Sequence, residues 1–206
     1  MSNPIEWVVF DLGGVLIKLD NLSFERAFKN LVGLPRPQIQ QQITDLWCGF
    51  SIGRYNTTQM AEQLSVLCER SISTQAFEAV LRTQLVGVDP QMLELVRKLS
   101  SDSESPWPVA CFSNTNHYHW QILCEEYRCL DLFVMRMASH LEGLAKPDPA
   151  AFMRIAERLK TSVESCIYID DLVENIRGAA KAGMTALHFQ GIDQLKRALT
   201  QRAIIF

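Results

Sequence analysis

The sequence has no C-x-x-C pair, no block of lysine or arginine, no apolar run long enough to cross a membrane and no internal repeat. The first absence matters because six cysteines are present: Cys48, Cys68, Cys111, Cys124, Cys129 and Cys166, mostly in apolar segments. Scattered in this way they argue against a zinc site or a disulfide framework and for reduced thiols, hence for a cytoplasmic protein. A formal net charge of −3 and a pI near 5.8 supply no basic footprint for nucleic acid or an anionic membrane surface. The opening MSNPIEWVVFD has no basic n-region and reaches Asp11 too soon for a secretory signal. A small-molecule partner is expected, with a monomer as the default state. What remains is a globular composition, 48% hydrophobic and 21% charged over 206 residues, enough for one domain with an inserted subdomain.

Within it, the segment VFDLGGVL at positions 9–16 combines an apolar run, a carboxylate and two glycines. Trp7-Val8-Val9-Phe10 is short, β-branched and aromatic, so it reads as a strand covered on both faces. Asp11 then sits at its carboxyl end, outside which open parallel sheets bind their ligands. Gly13 and Gly14 permit a tight turn or a close approach of backbone to ligand. An ordinary strand exit capped by Asp11 has the same local pattern, and the rest of the chain has to decide.

From about 22 to 99 the patterns are helical, and no strand is expected. Leu22, Phe24, Ala27, Phe28 and Leu31 fit one helix, ended near Gly33 and Pro35; Ile39, Ile43, Leu46, Trp47 and Phe50 fit a second. A third starts with Thr57 or Thr58 as N-cap and carries Met60, Ala61, Leu64 and Leu67; a fourth spans 74–85. Asp89-Pro90 opens a fifth with Met92, Leu93, Leu95, Val96 and Leu99, followed by a polar loop at 100–106. The rhythm then alternates: strand 109–112, helix 116–127, strand 133–138, helix 149–159, strand 166–169, helix 172–182, strand 185–189 and helix 192–199. Such alternation predicts an α/β fold: a three-layer, doubly wound, Rossmann-like parallel sheet. The first strand has to join that sheet, so the helical block is an insertion. The expected division is a core of 1–18 and 88–206 with a helical cap at 19–87.

Polar residues recur at the carboxyl ends of the expected strands. VACFSN ends in Ser113 and Asn114, CIYIDD ends in Asp170 and Asp171, and GLAKPDP places Lys146 just before a helix. In a parallel sheet these ends share one rim, so the residues converge on the crevice beside Asp11. Carboxylates a few ångströms apart raise one another's pKa unless a cation intervenes. Mg²⁺ answers that need with oxygen ligands, here Asp11, Asp170 and the backbone carbonyl of Gly13. A phosphate drawn to such an ion would meet Lys146 as a point charge, with Ser113 Oγ and the Asn114 backbone N–H as donors. Asp11 is placed to attack phosphorus and form an aspartyl-phosphate that water hydrolyses.

In order, FDLGGVL, FSNT, Lys146 in GLAKPDP and IDDLVENIRGA closely resemble the four motifs of the haloacid dehalogenase superfamily. The resemblance spans nearly the whole chain and implies that superfamily's core with a cap inserted after the first motif. It implies Asp11 as nucleophile and Mg²⁺ ligand, Ser113 as phosphate ligand, Lys146 as charge balancer, and Asp170 as Mg²⁺ ligand supported by Asp171. The D-L-G opening and the turn from Ser113 to Asn116 look nearest to the small bacterial α-D-glucose-1-phosphate phosphatases. The implied function is a Mg²⁺-dependent phosphatase acting on small phosphorylated metabolites, a sugar phosphate such as glucose 1-phosphate among them.

One position departs from the pattern. Most phosphatases of the superfamily carry a second Asp two residues after the nucleophile as general acid and base, and here that residue is Gly13. General acid help is worth about 10²–10⁴-fold in rate, so an acidic leaving group such as an anomeric hydroxyl suffers least from its loss. His117 or His119, in SNTNHYHW, is a candidate for the missing proton or for a substrate contact, as is Arg54 in FSIGRYNT. Surface or capping roles are the simpler reading for all three. Asn116 is a further candidate for substrate contact, and Asn175 is a candidate to hold the loop after Asp170-Asp171.

Four other functions compete. A 2-haloacid dehalogenase uses the same nucleophile without metal, and the Asp170-Asp171 pair would be repulsive there. A receiver domain combines similar residues but is shorter and has no cap. A non-catalytic phosphometabolite-binding or interaction protein would explain Gly13 but gains little from an exposed nucleophile. A phosphotransferase would miss the group at position 13 for activating its acceptor.

Overall fold

The structure, a computed structural model, describes residues 4–33, 37–101 and 107–204. Five parallel strands form the central sheet: β1 (Trp7–Phe10), β4 (Val109–Ser113), β5 (Met135–Ala138), β6 (Cys166–Asp170) and β7 (Thr185–His188). Their order is β5-β4-β1-β6-β7, every neighbouring pair parallel. β1 is central, and its Val8, Val9 and Phe10 have no exposed surface. Because side chains alternate along a strand, Val8 and Phe10 enter one hydrophobic cluster with Leu95, Val96 and Leu195. Val9 enters the opposite one with Phe112, Phe152 and Tyr168. Both faces are therefore covered, as a parallel sheet requires, and the expected doubly wound fold is observed. The chain runs outward from β1 on both sides, so the switch in strand order lies where Asp11 leaves the sheet.

Helices cover the faces: α5 (Pro90–Ser101), α6 (His117–Ile122), α7 (Ser139–Glu142), α8 (Pro149–Leu159), α9 (Val173–Ala182) and α10 (Ile192–Thr200). Asp89 caps α5 through hydrogen bonds from the Gln91 and Met92 N–H groups. α5 runs through Ser101, past the expected start of the loop, and 102–106 lie outside the described residues. The single helix expected at 116–127 is divided. After α6 the chain makes a π turn at Leu123–Tyr127, and Arg128 at φ 50° precedes a 3₁₀ turn at Cys129–Leu132. No helix among the described residues is long and apolar enough to cross a membrane.

Among the described residues, four helices stand between β1 and α5: α1 (Asn21–Val32), α2 (Pro37–Ser51), α3 (Thr57–Cys68) and α4 (Thr74–Arg82). They pack around their own core of Phe50, Phe77, Met60 and Leu64. Gly33 ends α1 at φ 79°, while Pro35 lies outside the described residues. Asn56 rather than Thr57 or Thr58 caps α3, in a reciprocal capping box with Gln59. A second difference matters more. α4 stops at Arg82, and β3 (Leu85–Val88) pairs antiparallel with β2 (Ile17–Leu19), so two strands join the helices to the sheet. Segments this short, separated by the whole helical block, leave no alternation for a sequence reading to detect.

Candidate active site

Asp11 is the first residue beyond β1, and its N–H still donates to Ile169 O at 2.8 Å, which fixes its direction. The following turn closes on Leu12 O, which accepts from the Leu16 and Ile17 N–H groups. Gly14 is required there on two counts. Its φ is +75°, and a Cβ would lie 2.2 Å from Asp171 Oδ2, so its bareness lets the Asp171 carboxylate close over the turn. At Gly13 a Cβ would meet Leu19 Cδ1 at 3.1 Å.

Lys146 is the hub of the site. Its Nζ lies 2.9 Å from Asp11 Oδ1 and 2.9 Å from Asp170 Oδ2, and it donates to the Tyr168 hydroxyl at 2.6 Å. The Lys146 backbone is clamped by one side chain: Asn114 Oδ1 accepts from Lys146 N at 3.0 Å, and Asn114 Nδ2 donates to Lys146 O at 2.7 Å. Behind this loop Gly178 permits contact with α9, where a Cβ would fall 2.2 Å from Pro147 O.

Asp170 is fully engaged. Besides Lys146 it accepts from the Tyr168 hydroxyl, from Leu172 N at 2.8 Å, and from Asn175 Nδ2 at 3.1 and 3.0 Å on its two oxygens. Asn175 thus holds the loop as expected. Asp171, in contrast, has a buried Oδ1 with no hydrogen-bond partner. Asp11 accepts from Leu12 N at 2.7 Å and from Lys146, both on Oδ1. Its Oδ2 accepts from no described residue, and Ser113 Oγ is likewise unengaged. Asp11, Gly13, Ser113, Asn114, Lys146 and Asp171 all line one cavity of about 320 Å³.

The electrostatics follow from burial and from the surplus of carboxylates. Burial pushes Asp11 up to about 7; the Lys146 ammonium opposes this and the Asp170 carboxylate adds to it. Burial also acts upward on Asp170, but Lys146 and the donated hydrogen bonds outweigh it and hold the carboxyl below its ordinary value. Asp171 is raised by burial and by Asp170 beside it. One ammonium therefore stabilises one full negative charge and leaves two acids short of a counter-charge.

A divalent cation fits that deficit. Oxygens of Asp11, Asp170 and Asp171 lie within 4.8 Å of one another, and an all-oxygen donor set suits Mg²⁺ better than a softer metal. In the acid pair both Asp170 oxygens accept hydrogen bonds from described residues, whereas Asp171 Oδ1 is orphaned.

Other expected residues are placed differently. Arg54 follows a tight turn closed by its own N–H on Gly49 O, and it lines a separate cavity with Gln42, Asp45 and Gln63. It is not among the residues that line the Asp11 cavity. His119 is buried between Leu81 O, 2.8 Å from Nε2, and Asn116 Nδ2, 3.2 Å from Nδ1, an arrangement satisfied by the neutral ring. Burial lowers its pKa, and with both nitrogens engaged it has no proton in reserve. Asn116 caps α6. His117 is exposed, with its ring 6.1 Å from that of His140, and it lines neither the Asp11 cavity nor its neighbours. Tyr168 and Gly178 are the participants that the sequence reading missed. Tyr168 had a signal, since it lies two residues before Asp170 and so on the same face of β6.

A doubly wound parallel sheet with an acidic crevice at its switch point defines the class as a Rossmann-like α/β protein. The chain belongs to the haloacid dehalogenase-like hydrolase family, whose family model matches residues 5–183. A phosphatase of Mycobacterium tuberculosis is 28% identical over 186 residues, 88% of this chain and 86% of that protein. A sesquiterpene phosphatase of Aspergillus oryzae is 25% identical over 218 residues, 100% of this chain and 99% of that one. Among solved structures, a Bacteroides thetaiotaomicron enzyme of this family in complex with magnesium and inorganic phosphate is 25% identical. It superposes with a TM-score of 0.76 and covers 89% of this chain and 93% of that one.

Proposed function

We propose that this hydrolase is a Mg²⁺-dependent phosphatase of small phosphorylated metabolites, with Asp11 as nucleophile and helices α1 to α4 as a cap over the site. The observation that carries the reading is the state of the Asp11 carboxylate. The Asp11 side chain is 8% exposed, one oxygen is pinned by Lys146 and Leu12 N, and the other bonds to no described residue while Asp11 and Ser113 line one cavity. Such an oxygen is oriented before the substrate arrives, which is where much of a catalytic advantage lies. Phosphatases among the similar proteins, and a similar structure that binds magnesium and phosphate together, support the same reading.

Asp11 and Asp171, with the Gly13 backbone carbonyl, would hold the Mg²⁺. When bound it would supply positive charge to ionise Asp11 and to neutralise phosphate oxygens. Ser113 Oγ and the Asn114 N–H donate to the phosphoryl group, and Lys146 adds its charge. Asp11 Oδ2 bonds to phosphorus as the ester oxygen departs, and water then hydrolyses the aspartyl-phosphate. Asn114 holds the Lys146 backbone in register throughout.

The test is phosphate release from a panel of sugar phosphates, nucleotides and acetyl phosphate, with Mg²⁺ or with EDTA. Release that requires Mg²⁺ and disappears in Asp11→Asn supports the reading. Wild-type rates surviving either change, or silence of the folded protein across the panel, would sink it and favour a binding protein.

A further inference from the structure

The Asp11 cavity shares Gln84 and Asn114 with a second chamber of about 230 Å³, walled on the helical side by Phe24, Trp47 and Phe50. Trp47 meets Phe24 and Phe50 edge-on, with ring centroids 5.7 Å apart in each pair. No Asp, Glu, Lys or Arg lines this chamber among the described residues.

Its polar lining is mostly engaged already. Both ends of the Asn114 amide are held by the Lys146 backbone, and Asn116 and His119 bond each other. Ser51 donates to Cys48 O, and Gln84 Nε2 donates to Asn21 Oδ1. The Thr115 hydroxyl, the Gln84 carbonyl and the Trp47 indole N–H carry no bond to a described residue, and beyond them the lining offers second amide N–H groups and the Ser51 oxygen. A sugar ring would turn hydroxyls toward three aromatic side chains that offer few partners, a cost for each hydroxyl that loses water there. An aromatic ring needs no such partners and gains contacts with three others. The size is also informative, because a cavity of about 150 Å³ already holds a benzene molecule. One substituted ring fits.

Gly13 gives an independent reason. Position 13 offers no acid to protonate the leaving group, and a phenol, with a pKa of about 10, departs unprotonated far more readily than an aliphatic alcohol.

Resting on the phosphatase reading above, we propose that the substrate is an aryl phosphate monoester, its single ring held between Trp47, Phe24 and Phe50. Asp11 Oδ2 forms the new bond to phosphorus as the P–O(aryl) bond breaks. The electron pair leaves with the phenolate, which takes a proton from solvent. Water then adds to phosphorus, the Asp11 carboxylate leaves with its bonding pair, and inorganic phosphate is released.

The experiment compares kcat/KM for phenyl phosphate, glucose 1-phosphate and acetyl phosphate, using the full chain with Mg²⁺. Phenyl phosphate is expected to exceed glucose 1-phosphate at least about tenfold. In Trp47→Leu the ratio of phenyl to acetyl phosphate should fall about tenfold, through KM, as the ring contact is lost. Phe24→Leu provides the same readout if Trp47→Leu does not fold. Equal or better use of glucose 1-phosphate, or a ratio that neither variant moves, overturns the aryl assignment while leaving the phosphatase reading intact. Absence of turnover of all three substrates by the folded wild type would overturn both.

Discussion

Asp11→Asn should abolish turnover, yet without divalent ions it should make the folded protein more stable at alkaline pH. Asparagine keeps the shape of the side chain and removes a charge held almost fully away from water. The Asp11 carboxyl is raised from 3.8 to about 7, mainly by burial. The native state therefore binds more protons than the unfolded chain between those values. Stability from this group is fully present below 3.8 and is lost as pH rises through about 7. At about 1.4 kcal/mol per pH unit the whole effect is about 4 kcal/mol, more than half of it between about pH 5 and pH 8.5. Asp170 is held below its ordinary value, so its own contribution has the opposite sense, present at neutral pH and lost on acidification. The two carboxyls share Lys146, so the difference between the proteins reports Asp11 together with its coupling to Asp170. Urea unfolding in EDTA, at half-unit pH steps, measures the difference directly. The variant should gain on the wild type as pH rises, and added Mg²⁺ should narrow the gap by binding the ionised wild type. A difference independent of pH would refute the assignment of Asp11 as a buried acid lacking a sufficient counter-charge.

Three further outcomes follow from named contacts. Asn114→Ala removes both hydrogen bonds to the Lys146 backbone and should cost about 1–3 kcal/mol of stability, with kcat falling more than KM rises in steady-state assays. Gly14→Ala places a methyl where Asp171 Oδ2 now lies, and the Mg²⁺ concentration for half-maximal activity should rise about 10–100-fold. Tyr168→Phe deletes the hydroxyl between Lys146 and Asp170 while keeping the ring. It should lower the thermal midpoint, and the pH dependence of kcat should shift because Asp170 loses a donor.

The distribution of what could be read in advance has a physical pattern. Asp11, Ser113 and the Asp170-Asp171 pair stand at the ends of short apolar runs, and a parallel sheet brings all such ends to one rim. Lys146 could be placed because its loop opens a helix with two prolines. The β2–β3 pair could not, since strands of three and four residues carry no usable alternation and their partners meet only in the folded chain. Arg54 could not be placed because the direction of a turn is set by the helices it joins. For His119 the acid and capping roles could not be told apart, because the bond of its ring to Leu81 O joins segments far apart in the chain. Asp170 and Asp171 are adjacent, so both could be assigned to the site, but only the hydrogen-bond inventory separates the anchored carboxylate from the open one.

The central claim is that a phosphoryl group passes through Asp11. The measurement that tests it most directly is acid quenching of the Mg²⁺-loaded wild type during turnover of radiolabelled acetyl phosphate, followed by peptide mapping. The result expected is one hydroxylamine-labile phosphoryl group on the peptide containing Asp11, and none in Asp11→Asn. Turnover with no labelled enzyme, or label on Ser113 instead, would contradict it.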